Sequence, residues 1–176
     1  MVNGRKLARS EIEQVWAIDR SEVIDHVYYQ ESGALVLRPA RYDMKGWPPG
    51  EAETYTPLLL DCFERGGWFY GLFDKAVLIG VAILDSKFIG QGDECLQLKF
   101  LHVSKSHRGQ GLGRRLFESA KLEARARGAR RLYVSATPSE NTVRFYFGVG
   151  CVLAREADPE LLAMEPEDIH LECTCE

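Results

Sequence analysis

The sequence predicts a mixed α/β fold in a single domain over residues 1–176, and three observations carry that prediction. Its 176 residues are the length of one ordinary domain, with no repeat or long linker to divide them. Hydrophobic residues make up 45% and charged residues 27%, close to the globular average, which excludes disordered, collagenous and coiled-coil chains. Segments with apolar residues at helical spacing alternate with short runs rich in β-formers, so helices and sheet both contribute. A chain of this size buries a core without disulfides or metals.

Ile12, Val15, Trp16, Ile18 and Val23 recur at spacings fit for a helix, so 10–24 reads as helical with Ser10 as its N-cap. Ala34 to Arg38 is a short apolar run, and Gly46, Pro48, Pro49 and Gly50 mark a loop. A second helix is expected over 52–65, started or interrupted at Pro57 and ended by Gly66-Gly67. Two strands, 68–73 and 77–84, form a hairpin around Asp74-Lys75. The segment 95–103 (CLQLKFLHV) has both faces partly apolar and is therefore a central strand. Leu112, Leu116, Phe117, Ala120 and Ala124 share one face of a helix whose other face is basic, with Gly128 just past its last turn. A strand at 132–136, a short helix at 139–147 and strands at 151–155 and 169–174 complete the order.

The net charge of −4 is unevenly distributed. Residues 1–104 carry 11 basic and 15 acidic side chains, 105–131 carry 9 and 2, and 132–176 carry 2 and 9. A block of net +7 inside an acidic chain calls for an anionic partner, unless it is merely a solvated helix face. The acidic total argues against a nucleic-acid partner. The polar start lacks the apolar core of a signal peptide, and no apolar run is long enough for a membrane span, so no membrane partner and a cytoplasmic location are expected. Five cysteines, an odd number at irregular spacings, fit reduced thiols. Cys173-Thr-Cys175 and His170 lack a second ligand pair, so no metal is expected.

The informative segment is LQLKFLHVSKSHRGQGLGRRL, residues 96–116. A strand ends at Val103 and a glycine-rich turn opens the amphipathic helix. Glycines let a backbone approach a ligand closely. The first N–H groups of a helix lack intrahelical partners and, with the helix dipole, form an anion site. Arg108, Arg114 and Arg115 surround that end, so a phosphate, more specifically a diphosphate, is expected at 108–114. GxxxxGK[ST] is absent, and Gly109, Gly111 and Gly113 are spaced GxGxG rather than GxGxxG, which sets both nucleotide motifs aside.

The pattern that fits is Arg108-Gly109-Gln110-Gly111-Leu112-Gly113, preceded by the Leu101-x-Val103 strand end. It resembles the GCN5-related N-acetyltransferase family. A second match is Ser139-Glu140-Asn141 through Phe145-Tyr146 to Gly150-Cys151, which looks like that family's Asn…Phe-Tyr…Gly-Phe segment. Two departures accompany it: the usual Asn stands where this chain has Ser139, with Asn141 two residues late, and the usual Gly-Phe is Gly150-Cys151.

The resemblance implies a mostly antiparallel sheet splayed at its central strands. It implies acetyl-CoA as co-substrate, an amine acceptor, which is a small molecule or a peptide, and direct acetyl transfer. The cofactor-binding core would span about 95–151 and the acceptor side about 10–65. The residues implied for the cofactor are Leu101, His102, Val103, Arg108, Gly109, Gln110, Gly111, Leu112, Gly113, Arg114, Ser139, Asn141 and Tyr146. Tyr146 would also be catalytic, giving a proton to the departing CoA thiolate. Some family members carry a Glu base on the central strand; the matching position here is Gln97, which leaves Glu94, His102 or a chain of waters. Lys99 shares the parity of Gln97, Leu101 and Val103 and faces either the acceptor cleft or solvent. Asp19, Glu22, Tyr28, Tyr29 and Trp47 are the acceptor-side candidates. A non-catalytic acyl-CoA sensor is the second reading, and a homodimer is compatible with either.

Overall fold

The computed structural model describes residues 1–176. Its strands are β1 (Val2–Lys6), β2 (Glu22–Glu31), β3 (Ala34–Met44), β4 (Trp68–Asp74), β5 (Val77–Ile89), β6 (Cys95–Val103), β7 (Arg131–Ala136), β8 (Val152–Leu153) and β9 (Ile169–Thr174). The helices are α1 (Glu51–Glu64), α2 (Leu112–Ala126), α3 (Glu140–Gly148) and α4 (Pro159–Met164), with a 3-10 helix at Arg9–Ala17. Seven strands form one sheet in the order β1-β4-β5-β6-β7-β9-β8, while β2 and β3 pair separately. Only β6 and β7 run parallel.

The sheet is covered on both faces. On one, Leu116, Phe117, Ala120 and Ala124 of α2 and Val143 and Tyr146 of α3 join Leu96, Leu98, Leu132 and Val134 in the larger core. On the other, Ile12 and Val15 of the 3-10 helix and Leu59 and Cys62 of α1 pack on Phe69, Val81, Ile83 and Phe100. Burial on both faces explains why β6 carries apolar residues on each of them.

Two irregularities in β6 shape its open end. Ile83 pairs with Phe100 and the next β5 residue, Leu84, with Leu98, so Lys99 is the extra residue of a β-bulge. A bulge exchanges the faces of the strand residues beyond it. Leu96 and Leu98 lie in the α2 core, yet Phe100 lies in the opposite one, and Leu101 and Val103 return to the α2 side. The parity expected to unite Lys99 with Leu101 and Val103 is thereby broken. Meanwhile β6 pairs with β7 only from Cys95 to Gln97, and past that point the strands diverge.

The N-terminal third departs most from expectation. The 10–24 helix is a 3-10 helix that ends by Ile18, whose ψ of 123° is extended; the N-cap position is Ala8, and Ser10 lies inside. Val23 and Ile24 belong to β2, whose hairpin with β3 extends the short apolar run at 34–38 to Met44. Asp19-Arg20-Ser21 interrupts the helix, and β-branched residues resume as strand. Two short elements were not expected: β1, which pairs with β4, and α4, whose N-cap Asp158 accepts from the Glu160 and Leu161 amides at 3.1 Å each. Strand β5 runs five residues beyond the expected Leu84, and β8 shrinks to two. No helix is long and apolar enough to cross a membrane.

Candidate active site

The divergence of β6 from β7 opens a cleft of about 1070 Å³. Its banks are the 97–103 stretch of β6 and the 135–138 end of β7; α3 and the start of α2 close one end, while α1, Arg20, Glu22 and the turn before β9 close the other.

At the α2 end the backbone forms an anion cradle. Gly109 and Gly111 sit at φ of +75° and +78°, where a side chain would be strained. Left-handed residues set on either side of a residue with negative φ turn N–H groups toward one concavity. The first helical bond is donated by the Arg115 amide to the Gly111 carbonyl, and the Arg108 amide bonds the Lys105 carbonyl. The six N–H groups of residues 109–114 between them have no protein acceptor. At Gly113 an added Cβ would lie 3.2 Å from the Phe145 ring, so glycine also lets α3 approach. Six free donors at a helix N-terminus fit a diphosphate.

Arg108 and Arg114 line the cleft, and each also bonds protein carbonyls. Arg108 donates to the carbonyls of Val103, Ser21 and Asp19 at 2.9, 3.0 and 3.2 Å, tying the strand end to the loop before β2. Arg114 donates to the Gly148 carbonyl at the end of α3 at 2.8 Å, and Arg115 to the Val2 carbonyl at 3.3 Å. Their guanidinium groups hold the scaffold around the cradle and keep further N–H donors beside the free backbone ones.

Along β6 the geometry is complementary. The Ser104 amide bonds the Ile79 carbonyl, which fixes the alternation so that His102 and Phe100 bond β5 while Leu101 and Val103 turn their amides toward the gap left by β7. These amides can bind an extended amide chain as a further strand would. His102 presents its imidazole edge to Trp47 and Phe100, with centroids 4.8 and 5.5 Å apart. Burial, reinforced by Arg20 and Arg108, pushes its pKa down to about 3. That makes the imidazole a weaker base than an ordinary histidine.

Tyr146 is 6% exposed, lines the cleft from α3 and has no hydrogen-bond partner for its hydroxyl. Burial, with the charges of Cys151 and Asp168, raises its pKa above that of an ordinary phenol. Ser139 does not serve as expected. It is 1% exposed, and its hydroxyl is the N-cap of α3, accepting from the Thr142 amide at 3.3 Å and donating to the Thr142 hydroxyl at 2.9 Å. Asn141 does line the cleft, where its amide donates to Glu22 at 2.9 Å.

Of the acceptor-side candidates only Glu22 reaches the cleft. Trp47 packs edge-on against Trp16 and donates to the Ile18 carbonyl, Tyr29 lies under Arg38, and Asp19 bonds the Ser21 amide. Glu94 lies outside, paired with Arg131 at 3.0 Å. Lys99 lines the cleft but bonds Asp85 at 2.9 Å. Sequence reasoning missed Arg20, Glu51, Tyr55, Glu165 and Asp168, which line the far end. Tyr55 donates to Glu165 at 2.8 Å, and Ser135 donates to Asp168 at 2.8 Å. Burial raises the carboxyl pKa values of Glu51 and Asp168 and that of the Tyr55 phenol, which reaches about 12. The dense carboxylates of the C-terminal segment were visible as charge, but nothing local places them across a splayed sheet.

A sheet parted between two central strands, with a glycine-lined anion cradle beside the gap, defines a class of acyl-CoA-dependent transferases. The Acetyltransferase (GNAT) family matches residues 36–149, and the chain belongs to that family. A search of curated proteins finds no match. Among solved structures, nourseothricin acetyltransferase superposes with a TM-score of 0.71 at 22% identity, covering 99% of each chain. A Bacillus anthracis protein assigned as a streptothricin acetyltransferase, solved with acetyl coenzyme A, gives 0.72 at 15% identity over 99% of this chain and 98% of that one. PaiA N-acetyltransferase from Thermoplasma acidophilum, in complex with coenzyme A, gives 0.65 at 16% identity over 99% of each. At these identities the likeness is one of fold.

Proposed function

We propose that the protein transfers an acetyl group from acetyl-CoA to a primary amine by direct attack on the thioester. The observation that carries this reading is the row of six unpartnered N–H groups at residues 109–114, opening onto a cleft with a buried, unbonded phenol. Bound there, acetyl-CoA supplies an activated acyl carbon and a thiolate leaving group.

The chain's residues divide the work. The amides of Gly109, Gln110, Gly111, Leu112, Gly113 and Arg114 hold the diphosphate. The amides of Leu101 and Val103 align the pantetheine arm along the open edge of β6, and an N–H there stabilises charge developing on the thioester oxygen, worth about 3 kcal/mol per donor. Tyr146 donates the proton that the leaving thiolate requires. Asn141, bound to Glu22, bridges α3 to the acceptor hairpin. The carboxylates of Glu22, Glu51, Glu165 and Asp168 suit a cationic acceptor. Five buried, unpaired cysteines suit a reducing compartment, as in cytoplasm.

The test is thiol release from acetyl-CoA across a panel of streptothricin-type antibiotics, polyamines, amino acids and peptide amines; the antibiotics are chosen from the names of the structural neighbours. Turnover with at least one amine is expected. Tight CoA binding without turnover on any would instead establish the non-catalytic acyl-CoA sensor, which the neutral Gln97 on β6 favours.

A further inference from the structure

The cleft holds a proton donor for the thiolate, while the groups expected to accept the amine's proton are unsuited to it. Gln97 has no basic group, burial with Arg20 and Arg108 weakens His102 as a base, and Glu94 lies outside the cleft in an ion pair. An alkyl ammonium at neutral pH must lose a proton before its nitrogen can attack.

Asp168 occupies the place from which that proton can be taken. It lies in the turn just before β9, its amide bonded to the Glu165 carbonyl at 3.1 Å. Ser135 on β7, two residues beyond the last β6–β7 pair at Gln97↔Tyr133, donates its hydroxyl to Asp168 at 2.8 Å. The carboxylate therefore lies beside the first step of the splay and lines the same cleft as Leu101 and Val103. Its charge acts on the phenol of Tyr146, which is nine-tenths buried and unbonded in the same cleft. Around it stand Glu165 and Glu167 on its own turn, Ser135 on β7, Tyr55 on α1, Tyr146 on α3 and Arg20 before β2.

Resting on the acyltransfer reading, we propose that Asp168 is the general base, taking the proton of the acceptor ammonium directly or through one water, with Ser135 as its positioning residue. The ammonium gives one proton to Asp168, and the freed nitrogen lone pair forms the C–N bond at the thioester carbon. The C–S electrons leave on sulfur, which takes a proton from Tyr146. The second amine proton returns to the Tyr146 phenolate through water, and Asp168 releases its own to solvent. The net release is one proton per turnover. Burial and the two neighbouring glutamates hold the Asp168 pKa above the ordinary carboxylate value, against the Ser135 hydroxyl and Arg20. A raised pKa brings a carboxylate closer to the working pH of a base.

The experiment is kcat/KM against pH for the unmodified enzyme, Asp168→Asn and Ser135→Ala, with acetyl-CoA and the best amine of the panel. Carbon-13 NMR of the Asp168 carboxyl in the CoA complex accompanies it. Expected are an acidic limb that coincides with the Asp168 titration, a fall in kcat of about 100- to 1000-fold in Asp168→Asn with loss of that limb, and an acetyl-CoA KM changed less than about twofold. Removing the Ser135 hydroxyl takes a hydrogen bond from the charged form, so in Ser135→Ala the limb moves to higher pH. A fast Asp168→Asn, or a slow one that keeps the limb, overturns the assignment. So does a limb unmoved in Ser135→Ala. Absence of turnover by the unmodified enzyme on every amine sinks the acyltransfer reading itself, and the base falls with it.

Discussion

At the scale of single residues, the site is built from groups whose usual partners are missing. Tyr146 is the clearest. A buried phenol commonly finds a hydrogen-bond partner; this one has none and faces the cleft. Its raised pKa keeps it protonated through the neutral range, as a donor to a thiolate must be. Tyr146→Phe removes only the hydroxyl, so acetyl-CoA binding should persist while the chemical step slows. The expected result is a kcat lower by about 100-fold with the acetyl-CoA KM changed little, measured by thiol release. A full-rate variant would assign the proton to water instead. Arg108, Arg114 and Ser139 show the opposite relation. Each stands at a motif position expected to meet the cofactor, and each side chain has protein groups to bond as well. A motif preserves residue types without saying which atom does the work.

At the scale of elements, the site depends on where β6 stops behaving as a regular strand. The bulge at Lys99 faces another in β5, where Leu84 and Phe88 pair with Leu98 and Leu96. Asp85, in that second bulge, accepts from the Ser86 and Lys87 amides, from Lys99 at 2.9 Å and from Arg65 just past α1 at 3.0 Å. Burial raises its pKa, but the bonds from Lys99, Lys87 and Arg65 outweigh that and bring it from 3.8 to about 2. A carboxyl depressed in the folded state stabilises above its unfolded pKa, and that stability is lost as pH falls through the folded value. Urea unfolding should therefore show a loss on the order of 2 kcal/mol between about pH 4 and pH 2. Asp85→Asn should lack that part of the slope and be less stable at pH 7, because Lys99 keeps its place without its anion. An unchanged slope would show that Asp85 is not held by these bonds. Neither bulge has a signature in the sequence. The helices α2 and α3, strand β6 and the glycine turn were legible because their apolar spacing and glycines are local signals. The bulges, the β2–β3 hairpin and the meeting of Ser135 with Asp168 arise from pairing between distant segments, which periodicity does not record. The 10–24 segment misled because Ile12, Val15, Ile18 and Val23 satisfy a helical spacing while Asp19-Arg20-Ser21 stops the helix midway.

At the scale of the whole molecule, two cores lie on opposite faces of one sheet, and the cleft opens where that sheet parts. Charge is arranged along the cleft: carboxylates gather at the α1 end, and free N–H groups with the basic block mark the other. Arg108, Arg114, Arg115, Arg127 and Arg131 of that block all bond protein carbonyls or carboxylates, so part of its +7 holds elements together rather than awaiting a ligand. On the proposed reading CoA would link parts of the fold, since α2, α3 and β6 all line the one cleft. A ligand that binds only the folded state stabilises it by mass action, by about 2.7 kcal/mol at a hundredfold excess over Kd. For a chain of this length that corresponds to a rise in Tm of about 5–10 °C. Gly111→Glu is the matching control. Gly111 has φ of +78° with nothing within 4 Å of an added Cβ, so the substitution strains one turn without a clash in the core. Its carboxylate would repel the diphosphate from the cradle. The variant should unfold within a few degrees of the unmodified protein when CoA is absent and show no rise when it is present; a retained rise, or unchanged affinity by calorimetry, would move the diphosphate away from residues 109–114.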